Sequence, residues 1–170
     1  MRHTVSVHVE NRPGALTRIT SMFARRGFNI ESLAVGPTER PDVSRITIRV
    51  DCDAGALEQI EKQMHKLVNV LRVAELAADE AVERELALIK VSAPPERRAE
   101  LMTLAQVYAA RVADLGPDAI VFEVTGPPED IDSFEELLRP HGLKELVRTG
   151  RVGLRRAPRR GSRRLQQALS

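Results

Sequence analysis

The chain has 170 residues, 42% hydrophobic and 29% charged, which suits one medium domain or two small ones. Aromatic residues make up 3% with no tryptophan, which argues against an aromatic platform for stacking bases. A single cysteine, Cys52, rules out an internal disulfide framework and a cysteine-based zinc cluster, and fits a reducing cytoplasm. The net charge of +2 hides an asymmetry: residues 148–170 hold eight arginines and no acid, leaving 18 Lys+Arg against 24 Asp+Glu elsewhere.

Residues 4–10 alternate Val5, Val7 and Val9 with polar neighbours, the pattern of a strand with one covered face. No signal peptide is expected ahead of it, and no apolar stretch is long enough to span a membrane. Asn11, Pro13 and Gly14 then mark a strand-to-helix turn. Residues 14–26 read as a helix through Leu16, Ile19 and Phe23, stopped by Gly27. Residues 28–35 read as a second strand with Asn29 at its start, broken by Gly36-Pro37-Thr38. Residues 44–51 alternate again through Ile46, Ile48 and Val50. Asp53 can cap the helix whose stripe is Leu57, Ile60, Met64 and Leu67. Residues 68–76 make a fourth strand. The order βαββαβ describes a ferredoxin-like split βαβ unit.

Residues 78–83, rich in alanine and acid, read as a linker. A strand follows over 84–92, and Pro94-Pro95 precede a helix with Leu101, Leu104, Ala105 and Tyr108 on one stripe. Residues 110–115 and 119–125 read as strands around a Gly116-Pro117-Asp118 turn. Gly126-Pro127-Pro128 open a helix with Ile131, Phe134 and Leu138 inward, and residues 143–148 form the last strand. The predicted fold is α+β: two βαββαβ ferredoxin-like domains over residues 1–77 and 84–156. A basic tail over 157–170 reads as solvated and disordered. A four-stranded sheet with both helices on one face leaves its other face or its edge in need of a partner, so a homodimer is expected.

No catalytic constellation emerges. His3, His8, His65 and His141 are scattered, without metal-ligand spacing. His8 should project from the exposed side of the first strand, and His65 suits the end of the second helix. Asp51 and Asp53 beside Cys52 should raise its thiol pKa and blunt it as a nucleophile. No phosphate-binding lysine loop is present. No catalytic residue, metal ligand or cofactor is therefore assigned to this chain, and it does not read as an enzyme. The candidate active element is the turn at residues 11–14. Glycine lets the backbone approach there, and the orphan N–H groups of a helix start can meet a small carboxylate. Taken alone, the turn reads better as an ordinary βα connection. The tail arginines, Arg155 to Arg164, invite a nucleic-acid reading, but the acidic body and scarce aromatics weigh against it.

Val9-Glu10-Asn11-Arg12-Pro13-Gly14-Ala15-Leu16 resembles the ligand loop of ACT domains, the amino-acid-sensing modules of biosynthetic enzymes. Arg26-Gly27-Phe28-Asn29-Ile30-Glu31-Ser32-Leu33 and Gln59-Ile60-Glu61-Lys62-Gln63-Met64-His65-Lys66-Leu67 are similar to the small, regulatory subunits of acetohydroxyacid synthase (acetolactate synthase). So are Arg84-Glu85-Leu86-Ala87-Leu88-Ile89-Lys90-Val91 and Leu143-Lys144-Glu145-Leu146-Val147-Arg148-Thr149-Gly150 in the second half. The resemblance runs over residues 4–154.

It implies an ACT domain at the start and a large catalytic subunit as partner. That partner would carry thiamine diphosphate, magnesium and FAD and would condense pyruvate with pyruvate or 2-oxobutanoate in branched-chain amino acid biosynthesis. The small subunit would raise this activity and confer feedback inhibition, usually by valine. Effector would sit between two ACT domains of a homodimer. Asn11, Gly14 and Asn29 match positions lining that site, and Gly36 and Gln59 match its periphery. Gly36 stands where the family often has alanine. The alternative is a free-standing ACT protein that senses an amino acid for another enzyme.

Overall fold

A computed structural model of the chain describes residues 1–157. The tail expectation therefore lies, but for its first residue, outside the described residues. In the first unit β1 (Arg2–Glu10), α1 (Ala15–Arg25), β2 (Ile30–Pro37), β3 (Val43–Asp51), α2 (Ala54–Met64) and β4 (Val70–Glu75) follow in order. The strands form one antiparallel sheet in the order β2-β3-β1-β4. Strict alternation places Val5, Val7 and Val9 of β1 beside Ile46, Ile48 and Val50 of β3 on one buried face. Helical spacing brings Ile19, Met22 and Phe23 of α1 and Leu57, Ile60 and Met64 of α2 onto that face. Each such side chain contributes about 1.5–3 kcal/mol by leaving water. The Asp53 carboxylate caps α2, accepting from the Ala56 N–H at 2.8 Å.

The second unit repeats the plan with β5 (Ala81–Ser92), α3 (Arg98–Val107), β6 (Arg111–Leu115), β7 (Ala119–Gly126), α4 (Pro128–Leu138) and β8 (Leu143–Arg148). Its sheet order is β6-β7-β5-β8, again antiparallel. Here the core is built on aromatics: Phe134 lies 5.9 Å from Phe122 and 5.1 Å from Tyr108, centroid to centroid. The architecture is thus the α+β pair of ferredoxin-like units that the alternation and helix stripes imply.

Two features differ from the sequence reading. Strand β5 begins at Ala81, inside the stretch read as linker, and a ninth strand, β9 (Val152–Arg155), follows β8. Residues 81–84 pair with β9, from Ala81 against Arg155 to Arg84 against Val152, while the rest of β5 pairs with β7 and β8. This two-stranded ribbon lies against the helix-free face of the first sheet. Gly153 marks the close approach: a Cβ there would stand 2.7 Å from Leu76 Cδ1. Thr4, Ser6 and Thr47, three of the polar residues of that face, are at most 3% exposed. The face expected to await a partner is therefore covered, in large part, by the chain's own second unit. The outer edge of β2 has no partner strand among the described residues.

Candidate functional site

The β1–α1 turn is exposed from Asn11 to Gly14. Asn11 ties it to the β2–β3 loop: its N–H donates to the Asp42 carbonyl at 2.8 Å and its amide Nδ2 to the Pro41 carbonyl at 3.1 Å. Gly14 has φ 85°, the left-handed region where a Cβ is strained. A Cβ on Gly14 would meet nothing within 4 Å, so backbone conformation, and not crowding within this chain, demands glycine. No side chain caps α1 and its first turn carries no acid. The Ala15 N–H donates to the Arg12 carbonyl at 3.3 Å, and no side chain caps the N–H groups of Leu16 and Thr17, which carry the partial positive charge of the helix start beside Arg12 and Arg18.

Asn29 does not join this turn within one chain. It precedes β2 at the end of the sheet where Ile30 pairs with Val50, whereas the turn follows Glu10, which pairs with Val43. Strand rise puts the two ends roughly 25 Å apart. Gly36 lies near the far end of β2, paired with Arg45 on the helix-free face, and an added Cβ there would touch nothing within 4 Å. It borders a cleft of about 530 Å³ between β2 and the ribbon, walled also by Val35, Val82, Val152 and Leu154. Gln59 is exposed in the middle of α2. Asn11 and Gly14 are brought together, while Asn29, Gly36 and Gln59 stand apart from them in the protomer.

His8 does not project into solvent. It is half-buried, with Nε2 2.9 Å from Arg45 Nη2. Burial, then Arg45 and Arg72, hold its pKa below the ordinary 6.5, with Glu39 opposing. The polar residue of an alternating strand was read as solvent-facing, and the ribbon turned that face inward. His65 is exposed at the end of α2 as expected. The Cys52 thiol is raised, first by burial and then by Asp53 and Asp51, so the neighbouring acids are the lesser cause. Among the described residues no group of His, Cys, Asp and Glu could hold a metal ion, and no helix is long and apolar enough to cross a membrane.

The residue that sequence reasoning missed is Arg148, read there as the end of the last strand and counted in the arginine-rich stretch 148–170, with no role of its own. Its Nε donates to Glu85 Oε1 at 3.0 Å, Nη2 to Glu85 Oε2 at 2.7 Å and Nη1 to Asp132 Oδ1 at 2.5 Å. Glu85 is only 5% exposed. This fork raises the Arg148 pKa, and it ties β8 to β5 and α4. The available signal was Glu85 itself, an acid in the inward register of Ala87, Ile89 and Val91.

Two family models match the chain: an AHAS small subunit-like ACT domain over residues 5–72, and the small subunit of acetolactate synthase over residues 84–157. The probable acetolactate synthase small subunit of Archaeoglobus fulgidus is 49% identical over 91% of this chain and 96% of its own length. The acetolactate synthase small subunit of Mycolicibacterium smegmatis is 45% identical over 92% of each. Among solved structures, the acetolactate synthase small subunit of Thermotoga maritima superposes with a TM-score of 0.87 at 38% identity. That match covers 94% of this chain and 99% of the other. With the first unit an ACT domain and the likeness spanning both units, the chain belongs to the acetolactate synthase small-subunit family.

Proposed function

We propose that this chain is the regulatory subunit of an acetohydroxyacid synthase, raising the activity of a large catalytic subunit and making it sensitive to feedback by valine or a related branched-chain amino acid. The observation that carries the effector half of this reading is the open start of α1. An uncapped helix N-terminus behind a left-handed Gly14 suits a carboxylate, and the Asn11 side-chain carbonyl suits the neighbouring ammonium. The free edge of β2 supplies the other half. Pairing β2 with its copy about a two-fold axis extends the sheet to eight strands. It also sets the start of one β2 beside the end of the other. Asn29 of one protomer then approaches the turn of its partner, closing across a separation that a single chain cannot span.

The thiamine diphosphate, magnesium and FAD of this chemistry belong, in this reading, to the large subunit, and the small subunit acts in the cytoplasm without a cofactor of its own. The test is reconstitution. The purified chain alone is expected to form no acetolactate from pyruvate. Mixed with its large subunit, it should raise turnover and confer inhibition by valine. Unchanged large-subunit activity would overturn the proposal. An amino acid that binds the chain with no effect on that activity would favour the free-standing sensor instead. Sedimentation should give a dimer at micromolar concentration, and a monomer with and without valine would remove the β2 seam.

A further inference from the structure

The ribbon of residues 81–84 and β9 has two unlike faces. Strand alternation and the register, Val82 against Leu154 and Arg84 against Val152, put those four side chains on one face. The other face carries Ala81, Glu83 and Gly153. It lies on the first unit, where Ala81 and Gly153 are buried and Gly153 approaches Leu76. The first face is left bare. Val152 is 52% exposed and Leu154 60%, and both line the cleft of about 530 Å³ with Val82. Val35 and Pro37 of β2, also exposed, line its other side. Single apolar side chains at a surface need no account, but a contiguous apolar wall marks a place where something binds.

The charges around this cleft are unbalanced. Arg45 reaches His8 and, at a long 3.4 Å, the Gly153 carbonyl, while Arg84 reaches the carbonyl of its neighbour Glu83. Among the described residues neither guanidinium forms an ion pair, and Glu39 is the one acid lining the cleft. The bare apolar surface of the second sheet is built differently. There the register sets Leu88 opposite Val147, and on the same face Lys90 pairs with Glu145 at 2.5 Å and Arg111 with Glu123 at 3.0 Å. Those charges are matched within the chain, and those of the cleft are not.

We infer that this cleft is where the large catalytic subunit docks, by inserting an apolar side chain flanked by carboxylates between β2 and the ribbon. This rests on the regulatory reading above. Membership of the small-subunit family supplies the partner, and the cleft supplies its place. The walls of Val35, Val82, Val152 and Leu154 take the apolar anchor out of water. The partner's carboxylates meet Arg45 and Arg84, which an apolar partner alone would strip of water without repayment. One side of the cleft belongs to the first unit and the other to the second, so it exists only in a chain that has both. The family likeness likewise spans both units.

The experiment titrates purified large subunit with the full-length small subunit and reads binding by calorimetry and turnover by acetolactate formation. Leu154→Glu puts a carboxylate on the apolar wall, and Arg84→Glu reverses one unmatched charge. Both side chains are exposed, so thermal melts should match the parent. Each variant is expected to weaken binding by about tenfold or more, with activation lost in proportion. Leu88→Glu, on the face whose charges are matched, is expected to bind and activate as the parent does. Leu154→Glu and Arg84→Glu chains that bind like the parent overturn the docking site and leave the regulatory reading standing. Binding lost through Leu88→Glu alone moves the partner to the second sheet and overturns it too. So does a Leu154→Glu chain that sediments as a monomer where the parent is a dimer, since the cleft then belongs to a second copy. A parent chain that neither binds nor activates the large subunit overturns both readings. If Leu154→Glu does not fold, Arg84→Glu decides.

Discussion

The turn after β1 and the turn after β5 occupy the same place in the two units and are built oppositely. The first opens α1 with a left-handed glycine, no cap and no acid. The second, Pro94 to Arg97, places two prolines where N–H donors would be, coils residues 95–97 into a 3-10 turn carrying Glu96, and sets Glu100 in the first turn of α3. Arg98 fills what space remains, donating to the carbonyls of Ala93 at 3.1 Å and Gly116 at 3.0 Å. Neither start has a side-chain cap, but the first carries no acid, whereas the second deletes N–H donors with two prolines and places Glu96 and Glu100 in its opening turns. Shared topology does not distribute function evenly, and the effector reading attaches to the first turn alone.

The largest effect is expected from making the first turn resemble the second. Gly14→Asp adds a carboxylate where the effector carboxylate would lie and forces a side chain into the left-handed region. Inhibition of the reconstituted holoenzyme should weaken by more than about a hundredfold in valine. Thermal melts of the free subunit should show a cost of about 1 kcal/mol. Retained inhibition in the folded variant would erase the contrast between the turns.

Asn11→Ala and Asn29→Ala come next. Losing a hydrogen bond to a charged ligand is worth about 1.5–3 kcal/mol, a rise in inhibitory concentration of roughly tenfold to a hundredfold. Their melts should separate them. Asn11 also holds the exposed Pro41 carbonyl, and its loss should cost up to about 1 kcal/mol. Asn29 is exposed at a strand start, and its removal should leave the free subunit's melt alone. Valine titrations unchanged in both would take the site away from the seam.

Most strands and helices of both units were legible because they alternate or recur at their own period over a full element; β6, exposed at every residue, was legible only from the turn that follows it. The ribbon was not. Residues 81–84 and 152–155 are each too short to show a period, and they pair across most of the second unit, which no local pattern records. The same omission hid the burial of Thr4, Ser6 and Thr47, since polar residues in alternation mark the second face of a strand without saying what will cover it. The turn itself was legible from Asn11, Pro13 and Gly14. The distance to Asn29 was not, because strand order fixes which ends of a sheet meet.

A smaller effect sharpens the second contrast, between a first sheet covered on both faces and a second whose Leu88 and Val147 stay exposed. His8 lies on the covered face with its pKa depressed. In the unfolded chain it takes up a proton near pH 6.5, and in the fold only at lower pH. Above pH 6.5 the two states bind alike. As the pH falls below that value, the unfolded state binds more protons and stability drops until the folded pKa is passed. His8→Gln should therefore flatten the decline in melting temperature between neutral pH and about pH 5, with the parent protein as reference. Parallel curves would place His8 in water.

The smallest effect is the reverse of the first substitution, and it tests the contrast from the other side. Glu96→Gln removes the acid from the second turn while keeping its shape and its two prolines. An acid near a helix start is worth about 0.3–1 kcal/mol at an exposed site, so the melt should fall slightly. Valine inhibition should not change, because Pro95 still offers no N–H and Arg98 still fills the turn. If Glu96→Gln weakened inhibition as Gly14→Asp does, the two turns would be acting as one system, and the assignment of the effector to the first would fail. A shift in stability alone, with the valine curve superimposed on that of the parent, is the outcome that two differently built turns require.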